Sequence, residues 1–430
     1  RGRGGVDWDE ERDIVRSPLG GLVAGEEPLD NPDERTDVGW VRNFSPTAED
    51  IGKVLELCCR YVYKRTPDGE PELGPLIVLT TEPVLPIPPP PPDRRMLSLN
   101  TGEYYPCRPH HQLIGSFRVM SYNCLAEIYA RKFTYTHAWA LAWTYRRRNL
   151  IREILAYDAD ILCLQEVQAD HFEDHYKPWL ERMGYDGVFK SKTREDMGRR
   201  GKVDGCATFY KRSMFGLRGK HEVEFNSIAR QRMKDSRVLN RVLKGNIGLI
   251  VILEVLDGSR LTLCVANTHI FWDPDLSDVK LFQVDCFMQK LEEISAQLAV
   301  DVPIILCGDF NSEPSSSVYE LINSGAINPD HEDINDPFKI LQESRLKHSL
   351  HMRSVHSLAG GEPSYTNLTP DYIGTLDYIF YATDRLIVVT GVLEVLDEKT
   401  LLGVDNSTAI PSTRWSSDHI ALVADFQVLQ

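Results

Sequence analysis

Short apolar runs alternate with amphipathic stretches along most of the chain. Eight of the runs are rich in β-branched and aromatic residues and have the length of buried strands. They are FRVMSYN, ADILCLQEV, GCATFYK, IGLIVILEVL, RLTLCVANTHI, PIILCGDFN, LDYIFYA and HIALVADFQV. Strands that are apolar at nearly every position need cover on both faces, so this pattern predicts stacked sheets in one layered domain.

Two of the amphipathic stretches predict helices. Residues 144–157 carry apolar side chains on one helical face, and residues 277–298 repeat apolar positions at the same spacing. Ser277 is the predicted N-cap of the second helix, with Asp278 in its first turn. Strands that alternate with such helices predict an α/β fold in which the helices pack outside two sheets.

A polyproline stretch, VLPIPPPPPDRR at residues 84–95, cannot form a helix or a central strand and is typical of a stiff spacer. It predicts three parts. Residues 1–83 are expected to form a small β-rich, sandwich-like module with a disordered start, and residues 84–115 a proline-rich linker. Residues 116–430 are the predicted α/β domain. No leucine-rich repeat signature is visible.

The composition narrows the class of protein. The chain has 430 residues, of which 42% are hydrophobic, enough for one large and one small domain. No apolar run reaches the length of a membrane span, so no membrane partner is expected. Nine cysteines without a metal-ligand spacing predict a reduced protein of the cytoplasm or nucleus. Because the first residue is Arg1, a longer parent chain is expected.

The charge balance disfavours loose, charge-driven binding of nucleic acid. The net charge is −15, and a strongly acidic protein repels a phosphate backbone unless metal ions or a local patch compensate. One basic patch is a candidate for contact with an RNA backbone, and a solvated loop is the alternative. It consists of Lys190, Lys192, Arg194, Arg199, Arg200 and Lys202.

Polar side chains lie at an edge of many of the predicted strands. They are Asn123, Glu166, Asn267, His269, Asp309, Asn311, Asp377, Asp418 and His419. Each has an ordinary explanation when taken alone, as a turn residue, a cap or a surface charge. Asp309 and Asn311 are two residues apart, so an extended backbone would point both to one side and turn Phe310 into the core.

The set as a whole indicates a metal site. Ligands of layered α/β folds bind where strand ends converge, and three Asp and one Glu would repel each other there without a compensating charge. Carboxylate and amide oxygens are hard ligands that favour Mg²⁺ or Mn²⁺ over zinc. The chemistry that this pattern predicts is metal-assisted hydrolysis of a phosphate ester.

In chain order, SYN, LQEV, NTH, GDFN, LDYIF and SSDH resemble the signature set of the endonuclease–exonuclease–phosphatase superfamily, which includes DNase I-like nucleases. Longer stretches resemble the carbon-catabolite-repressor-type poly(A) deadenylases. They are VMSYNCLAEIYA, YRRRNLIREI, LQEVQADHF, GCATFYKRSMF, NRVLKGNIG, FWDPDLSDVKL, YTNLTPDYIGTLDYIFY and WSSDHIAL. The resemblance implies a four-layered α/β sandwich (DNase I-like), preceded here by the small β-rich domain.

The resemblance also implies residue roles around two Mg²⁺ ions, for which Mn²⁺ could substitute. The implied metal ligands are Glu166, Asn123, Asp418 and Asp309. The implied catalytic residues are Asp309 as general base, Asn311 beside it, His419 on the scissile phosphate, Asp377 orienting His419, and His269 at the transition state. The implied substrate-binding residues are Asn267, Trp272, Pro274, Tyr372 and Asn367.

The activity implied by the resemblance is Mg²⁺-dependent 3′→5′ shortening of mRNA poly(A) tails with release of 5′-AMP. The implied partners are poly(A) RNA and Not-complex subunits, the latter through an adaptor because the chain lacks leucine-rich repeats. A cytoplasmic location is expected, with the nucleus as a further one. Two alternatives stay open: a 2′,5′-phosphodiesterase or other nucleotide phosphatase, and a non-catalytic adaptor that binds poly(A) or complex subunits.

Overall fold

The computed structural model describes residues 44–63, 70–90, 93–107, 115–193, 202–259, 261–298, 302–334, 336, 338–403 and 407–429. The chain divides into two compact units, Arg1–Val84 and Leu85–Gln430. The predicted disordered start of the first unit lies outside the described residues.

The first unit consists of short antiparallel ladders. Strand β1 (Glu56–Cys59) pairs with β4 (Ile77–Thr80), and β2 (Val62–Tyr63) pairs with β3 (Glu72–Leu73). A 3₁₀ turn at Ala48–Asp50 precedes them. The runs predicted as strands therefore pair, but the described residues contain no packed sandwich, because two-stranded ladders of this length bury few side chains.

The predicted linker is wrong at its carboxyl-terminal part. Strands β5 (Arg95–Ser98) and β6 (Tyr104–Pro106) form a hairpin that joins the larger sheet of the second unit. Met96 is fully buried there. Gly102 in the connecting turn has φ of +71°, a left-handed conformation that glycine adopts readily. Among the described residues of the predicted linker, the proline run before Arg95 has no regular structure.

The second unit contains an eight-stranded sheet, sheet A, in the order β6-β5-β19-β20-β7-β8-β10-β9. Of its neighbouring pairs, β7 and β8 run parallel and the others antiparallel. Its remaining strands are β7 (Ser116–Asn123), β8 (Ile161–Gln168), β9 (Tyr185–Ser191), β10 (Asp204–Lys211), β19 (Ile387–Leu393) and β20 (Leu422–Val428).

A six-stranded sheet, sheet B, has the order β11-β12-β13-β14-β18-β15, with β13 and β14 parallel. Its strands are β11 (Phe215–Glu224), β12 (Ile247–Val255), β13 (Thr262–His269), β14 (Ile304–Asp309), β15 (Met352–Ser354) and β18 (Asp377–Ala382). A separate hairpin pairs β16 (Asn367–Leu368) with β17 (Ile373–Gly374).

Helices flank the two sheets. The α-helices are α1 (Glu127–Ala130), α2 (Ala138–Leu141), α3 (Trp143–Ala156), α4 (Ala169–His171), α5 (Lys177–Arg182), α6 (Phe225–Arg232), α7 (Ser236–Val242), α8 (Ser277–Gln297), α9 (Ser317–Ser324) and α10 (Glu398–Leu402). A π-helical turn at Phe172–Tyr176 joins α4 to α5. Further 3₁₀ turns lie at Glu332–Ile334, Ile340–Glu343 and His356–Ala359. None of the described helices has the length and apolar character that a membrane crossing needs.

Strand alternation explains the four layers. In β14, Ile304 and Leu306 pack on the core beneath α8, whereas Ile305 and Cys307 pack between the sheets. Sheet A has a third core beneath α3, which contains Leu162. The order helix, sheet, sheet, helix confirms the predicted α/β sandwich.

Both predicted helices are present, α3 at Trp143–Ala156 and α8 at Ser277–Gln297. The predicted N-cap is wrong by one residue, because Leu276 is the N-cap and Ser277 is the first helical residue. The Ser277 hydroxyl donates instead to the Asp333 carbonyl oxygen at 3.4 Å.

Candidate active site

The register of the strands brings the predicted polar residues together. His269 pairs with Asp309 across β13 and β14, and Asp309 pairs with Asp377 across β14 and β18. A Cβ added to Gly308 would lie 2.4 Å from the Thr268 carbonyl oxygen, so only glycine allows this close approach. The strand ends open into one cavity of about 890 Å³.

Asp309 is the centre of the site. Its Oδ2 accepts a hydrogen bond from Asn123 Nδ2 at 2.9 Å, and its Oδ1 accepts one from the Asn311 backbone N–H at 2.9 Å. The same Oδ2 lies 3.5 Å from His269 Nε2 and 3.7 Å from His419 Nε2. Burial, followed by the nearby charge of Asp377, raises the pKa of Asp309 to about 6.

Asp377 holds His419 in place. Its Oδ2 lies 2.7 Å from His419 Nδ1 and accepts a second hydrogen bond, of 2.6 Å, from the Thr366 hydroxyl. Burial lowers the pKa of His419, but the carboxylates of Asp377, Asp418 and Asp309 outweigh it and raise that pKa well above its ordinary value. His419 is therefore an oriented imidazolium that directs Nε2 into the cavity.

His269 has a cationic neighbour. Lys192 Nζ lies 3.3 Å from His269 Nδ1 and 2.6 Å from Asp204 Oδ2. Both Lys192 and Asp204 are buried, so each charge needs the other as a partner. The pair fixes one edge of the His269 ring while Nε2 faces Asp309.

Glu166 and Asp418 carry the remaining carboxylates. Glu166 lies in a left-handed conformation with φ of +56°, and its Oε2 accepts a hydrogen bond from the Ala126 N–H at 2.8 Å. Burial, followed by the charge of Asp204, raises the pKa of Glu166 to about 7. Asp418 Oδ2 accepts a hydrogen bond from Asn367 Nδ2 at 3.2 Å. Its Oδ1 is buried without a hydrogen-bond partner among the described residues.

These oxygens fit a divalent cation. Asp309, Asp377 and His419 offer ligand atoms within 4.8 Å of one another, but Asp377 and His419 are already joined by a hydrogen bond. Glu166, Asp309 and Asp418 offer further carboxylate oxygens at the cavity, and neighbouring carboxylates raise the pKa of both Glu166 and Asp309, a cost that a bound cation would offset. Carboxylate oxygens without thiolates suit a hard ion.

The comparisons with known proteins agree with this geometry. The endonuclease/exonuclease/phosphatase family matches residues 120–419, which span the cavity-lining strands. The chain belongs to this family. The family is metal-dependent, in agreement with the carboxylate cluster.

Within the family, the chain is a homologue of carbon catabolite repressor 4 proteins. It is 42% identical to carbon catabolite repressor protein 4 homolog 1 of Arabidopsis thaliana, over 91% of this chain and 71% of that protein. It is 36% identical to the CCR4-Not complex 3′-5′-exoribonuclease subunit Ccr4 of Saccharomyces cerevisiae, over 79% of this chain but only 43% of that protein.

Solved structures of the family share the fold. ANGEL2, described as a 2′,3′-cyclic phosphatase, is 28% identical with a TM-score of 0.63, and the match covers 79% of this chain and 99% of that one. The human Nocturnin catalytic domain is 27% identical with a TM-score of 0.55, covering 78% and 97%.

Most of the predicted site residues of this family member lie at one cavity. Its lining includes Glu166, His269, Trp272, Pro274, Asp309, Asn311, Asn367, Tyr372, Asp418 and His419. Asn123 and Asp377 lie directly behind it, hydrogen-bonded to Asp309 and His419. Trp272 is 62% exposed, which a core aromatic would not be. The Tyr372 hydroxyl donates to Glu313 at 2.9 Å, which fixes the ring.

The structure places Asn267 away from the substrate cavity. Asn267 is fully buried between the sheets, where its Oδ1 accepts from Gln165 Nε2 at 2.8 Å and its Nδ2 donates to the Ala207 carbonyl oxygen at 3.0 Å. On the inter-sheet face of β13 it lies two residues deeper than His269. Asn267 therefore ties the two sheets together, and substrate cannot reach it.

The extended-backbone argument for Asn311 is also wrong. Asn311 has φ of +47°, and its Nδ2 donates to the Ile270 carbonyl oxygen at 3.0 Å. It still lines the cavity, because β14 ends at Asp309 and the chain turns there. Phe310 is buried in the core beneath α8, as predicted.

Sequence reasoning missed several supporting residues. Asp204 begins β10, and Lys280 lies on α8 with its Nζ 2.6 Å from the Asn311 carbonyl oxygen. Their signal in the sequence is a charge next to an otherwise apolar run, in VDGCATFY and SDVKLF.

The predicted basic patch is divided. Lys190 pairs with Glu222 and Glu224, at the edge of sheet A, whereas Lys192 is buried in the site beside His269. The three arginines of the patch lie outside the described residues. Of the described members of the patch, Lys202 is exposed, whereas Lys190 is paired with two glutamates and Lys192 is buried.

Proposed function

We propose that this protein is a 3′→5′ exoribonuclease that shortens poly(A) tails and releases 5′-AMP. The observation that carries the proposal is Asp309, a buried carboxylate held by two hydrogen bonds with two imidazoles within 4 Å, in a cavity that also presents Glu166 and Asp418. Such a site suits hydrolysis of a phosphodiester. The fungal relatives named 3′-5′-exoribonuclease subunits support the direction of cleavage.

Glu166, Asp418, Asp309 and Asn123 would hold Mg²⁺, with Mn²⁺ as a substitute. The ion would supply Lewis-acid stabilisation of a phosphate oxygen and of the attacking oxygen. Glu166 lies on β8 of sheet A, Asp418 lies in the loop that precedes β20 of the same sheet, and Asp309 ends β14 of sheet B, so the two sheets together would form the ligand set.

Three side chains of the site take the remaining catalytic roles, which are proton transfer and stabilisation of charge on the phosphate. Asp309, with its pKa raised to about 6, accepts a proton from the attacking water at neutral pH. His419, kept as imidazolium by Asp377, donates a hydrogen bond from Nε2 to a non-bridging phosphate oxygen. His269, braced by Lys192, stabilises the charge that develops on the opposite oxygens.

Asp377→Asn tests the orienting role. The amide would keep the size of the side chain but remove the charge that favours the imidazolium, so we expect kcat to fall about 10–100-fold, as for other residues that orient a catalytic group. The alkaline limb of the kcat–pH profile should move to lower pH, because His419 then loses its proton more readily. An unshifted limb would show that Asp377 does not set the protonation state of His419. Steady-state kinetics between pH 6 and 9 measure both effects.

Base selectivity is proposed to arise at the rim of the cavity. Trp272 and Pro274 lie in the loop after β13, Asn367 and Tyr372 lie in the β16–β17 hairpin, and all four line the cavity. A base entering between them would meet one exposed indole and one ring that Glu313 fixes through its hydroxyl. Stacking on such rings favours purines but tolerates other bases in part.

Tyr372→Ala should raise KM for an adenylate 3′ end about tenfold and reduce the preference for A over C, since loss of one base–aromatic stack costs about 1–3 kcal/mol. Tyr372→Phe is the matched control, because it keeps the ring and removes only the hydrogen bond to Glu313. Equal effects of the two changes would assign the role to the hydroxyl instead. Competition between tails ending in A and in C provides the measurement.

A second candidate function is phosphatase or phosphodiesterase action on another nucleotide linkage. The similarity to ANGEL2, described as a 2′,3′-cyclic phosphatase, favours this candidate, because the shared phosphate chemistry does not identify the nucleotide. A 2′,5′-phosphodiesterase belongs to the same class of alternative. A non-catalytic adaptor is disfavoured, since poly(A) binding alone has no need for a buried hydrogen bond between Asp377 and His419 with Asp309 3.7 Å from His419 Nε2.

The proposed partners are poly(A) RNA and subunits of a Not-type complex, reached through an adaptor. The fungal relatives are named as subunits of the CCR4-Not complex, which supports such an assembly for this chain. A cytoplasmic location, and a nuclear one in addition, suits a protein that shortens mRNA tails.

The proposal is tested by the identity of the product. A 5′-labelled RNA with twenty 3′ adenosines should give a ladder that shortens from the 3′ end, and chromatography should show 5′-AMP. A 3′-phosphorylated mononucleotide or internal cuts would contradict the exonuclease assignment.

A further inference from the structure

The segment from α1 to α3 differs in charge from the rest of the chain. Residues 128–152 contain no aspartate or glutamate and six lysines or arginines, whereas the whole chain has a net charge of −15. Six aromatic residues lie in the same stretch, five of them between Lys132 and Arg146: Tyr129, Phe133, Tyr135, Trp139, Trp143 and Tyr145. Cations next to aromatic rings suit single-stranded nucleic acid, whose phosphates pair with the cations and whose bases stack on the rings.

The first part of this segment borders the catalytic cavity. Tyr129, Lys132 and Phe133 line the cavity that also contains Asp309 and Asp418. The Tyr129 hydroxyl donates to Asp204 Oδ1 at 2.9 Å, and Lys132 Nζ lies 5.3 Å from the centre of the Tyr129 ring. Lys132 is exposed and Phe133 is half-buried, so both reach solvent at the rim.

Two residues that follow Phe133 are held by hydrogen bonds to the backbone of residues 410 and 411. The Tyr135 hydroxyl donates to the Ile410 carbonyl oxygen at 2.5 Å, and the Thr136 hydroxyl donates to the Pro411 carbonyl oxygen at 2.7 Å. The Tyr135 ring contacts Phe133 edge-on at 5.8 Å between centroids and is 39% exposed. Rings that are held this way before a ligand arrives lose little entropy when it binds.

We propose that residues 129–139, the aromatic lip, bind the nucleotides that precede the 3′-terminal one. This inference rests on the proposed function. The terminal nucleotide occupies the cavity between Trp272 and Tyr372, and the next bases stack on Phe133 and Tyr135 while Lys132 contacts a phosphate. The ligand is therefore a single strand several nucleotides long, and the lip makes the enzyme prefer long tails over dinucleotides.

The double variant Lys132→Ala/Phe133→Ala tests the lip. In the full chain with Mg²⁺, we expect KM for a twenty-residue oligoadenylate to rise about tenfold, with a smaller rise for the dinucleotide ApA, because ApA places a single base on the lip and the long strand places several. The salt dependence of log Kd for the long strand should flatten by about 0.7, the value for one lost phosphate contact on a single strand. The single variant Lys132→Arg keeps the positive charge and should show the same salt dependence of log Kd as the wild type.

Arg95→Ala/Tyr104→Ala is the matched control. Arg95 lies 4.6 Å from the Tyr104 ring centre, Tyr104 is 49% exposed, and neither residue lines the catalytic cavity. This control loses the same kinds of groups and should keep the wild-type KM for both substrates. Equal rises for the long and short substrates in the lip variant, or no rise for either, would overturn the proposal.

A binding measurement separates this proposal from the proposed function. Fluorescence anisotropy of labelled oligoadenylate with chelator present reports on the lip without any cleavage. If the wild-type protein does not shorten poly(A) but binds it more tightly than the lip variant does, the exonuclease proposal fails and the binding surface stands. If both bind equally, the lip proposal fails whatever the activity.

Discussion

Asp309→Ala should lower kcat at least about thousandfold, which corresponds to about 4 kcal/mol of lost transition-state stabilisation. The substitution removes the proton acceptor and one cation ligand together, and it leaves the Asn123 amide and the Asn311 N–H without their acceptor. Single-turnover kinetics with saturating oligoadenylate measure the chemical step directly.

The fold should survive this change. Asp309 is the last residue of β14, and its carboxylate is a source of repulsion with Asp377, so its loss relieves one electrostatic cost. Asp174→Ala removes an exposed carboxylate from the π-helical turn away from the cavity and should keep wild-type kcat. A kcat for Asp309→Ala within tenfold of the wild-type value would remove Asp309 from the reaction.

Glu166→Gln should have opposite effects on activity and stability. Activity should fall about thousandfold, because an amide is a poor substitute for a charged metal ligand. In the presence of chelator, the free energy of unfolding at pH 8 should rise by about 3 kcal/mol, the value of a pKa raised from 4.5 to about 7. Glutamine keeps an oxygen for the Ala126 N–H, so the hydrogen bond is preserved.

The sign follows from proton linkage. The pKa of Glu166 is raised in the folded state, so the folded form favours the protonated acid, and ionisation costs stability as pH rises from about 4.5 to about 7. The advantage of glutamine should therefore shrink to less than about 1 kcal/mol at pH 5. Urea titrations at both pH values, with chelator, measure it. If the free energy of unfolding of Glu166→Gln differed from that of the wild type by the same amount at both pH values, the buried Glu166 would carry no uncompensated charge.

Much of the fold follows from hydrophobic patterning. The apolar runs predicted as strands, such as PIILCGD, lie in two sheets, because a strand with apolar residues on both faces must be covered on both sides. The hairpin at Arg95–Pro106 is not among the predicted strands, because the adjacent proline run favours an irregular linker. Its own signal was the NTG turn between two short aromatic or apolar runs.

The site was predictable to the extent that its polar residues lie at or near the ends of apolar strands. Glu166, Asp309 and His419 share this feature, and strand register brings them to one cavity. Asn267 has the same feature but lies two residues deeper along β13 than His269, between the two sheets rather than at the cavity. Lys192 and Asp204 pair across β9 and β10 at their ends, and no local pattern of sequence contains such a contact.

The central claim is that this cavity performs metal-dependent removal of 3′-adenylate from 3′,5′-linked RNA. The most direct measurement compares the initial rates for 3′ tails ending in A, C or U and for 2′,5′-triadenylate, each with Mg²⁺ and with excess chelator. We expect the A tail to be shortened fastest, the 2′,5′-linked compound to be a poor substrate, and chelator to abolish all cleavage. Shortening that survives the chelator, or a preference for the 2′,5′ linkage, would contradict it.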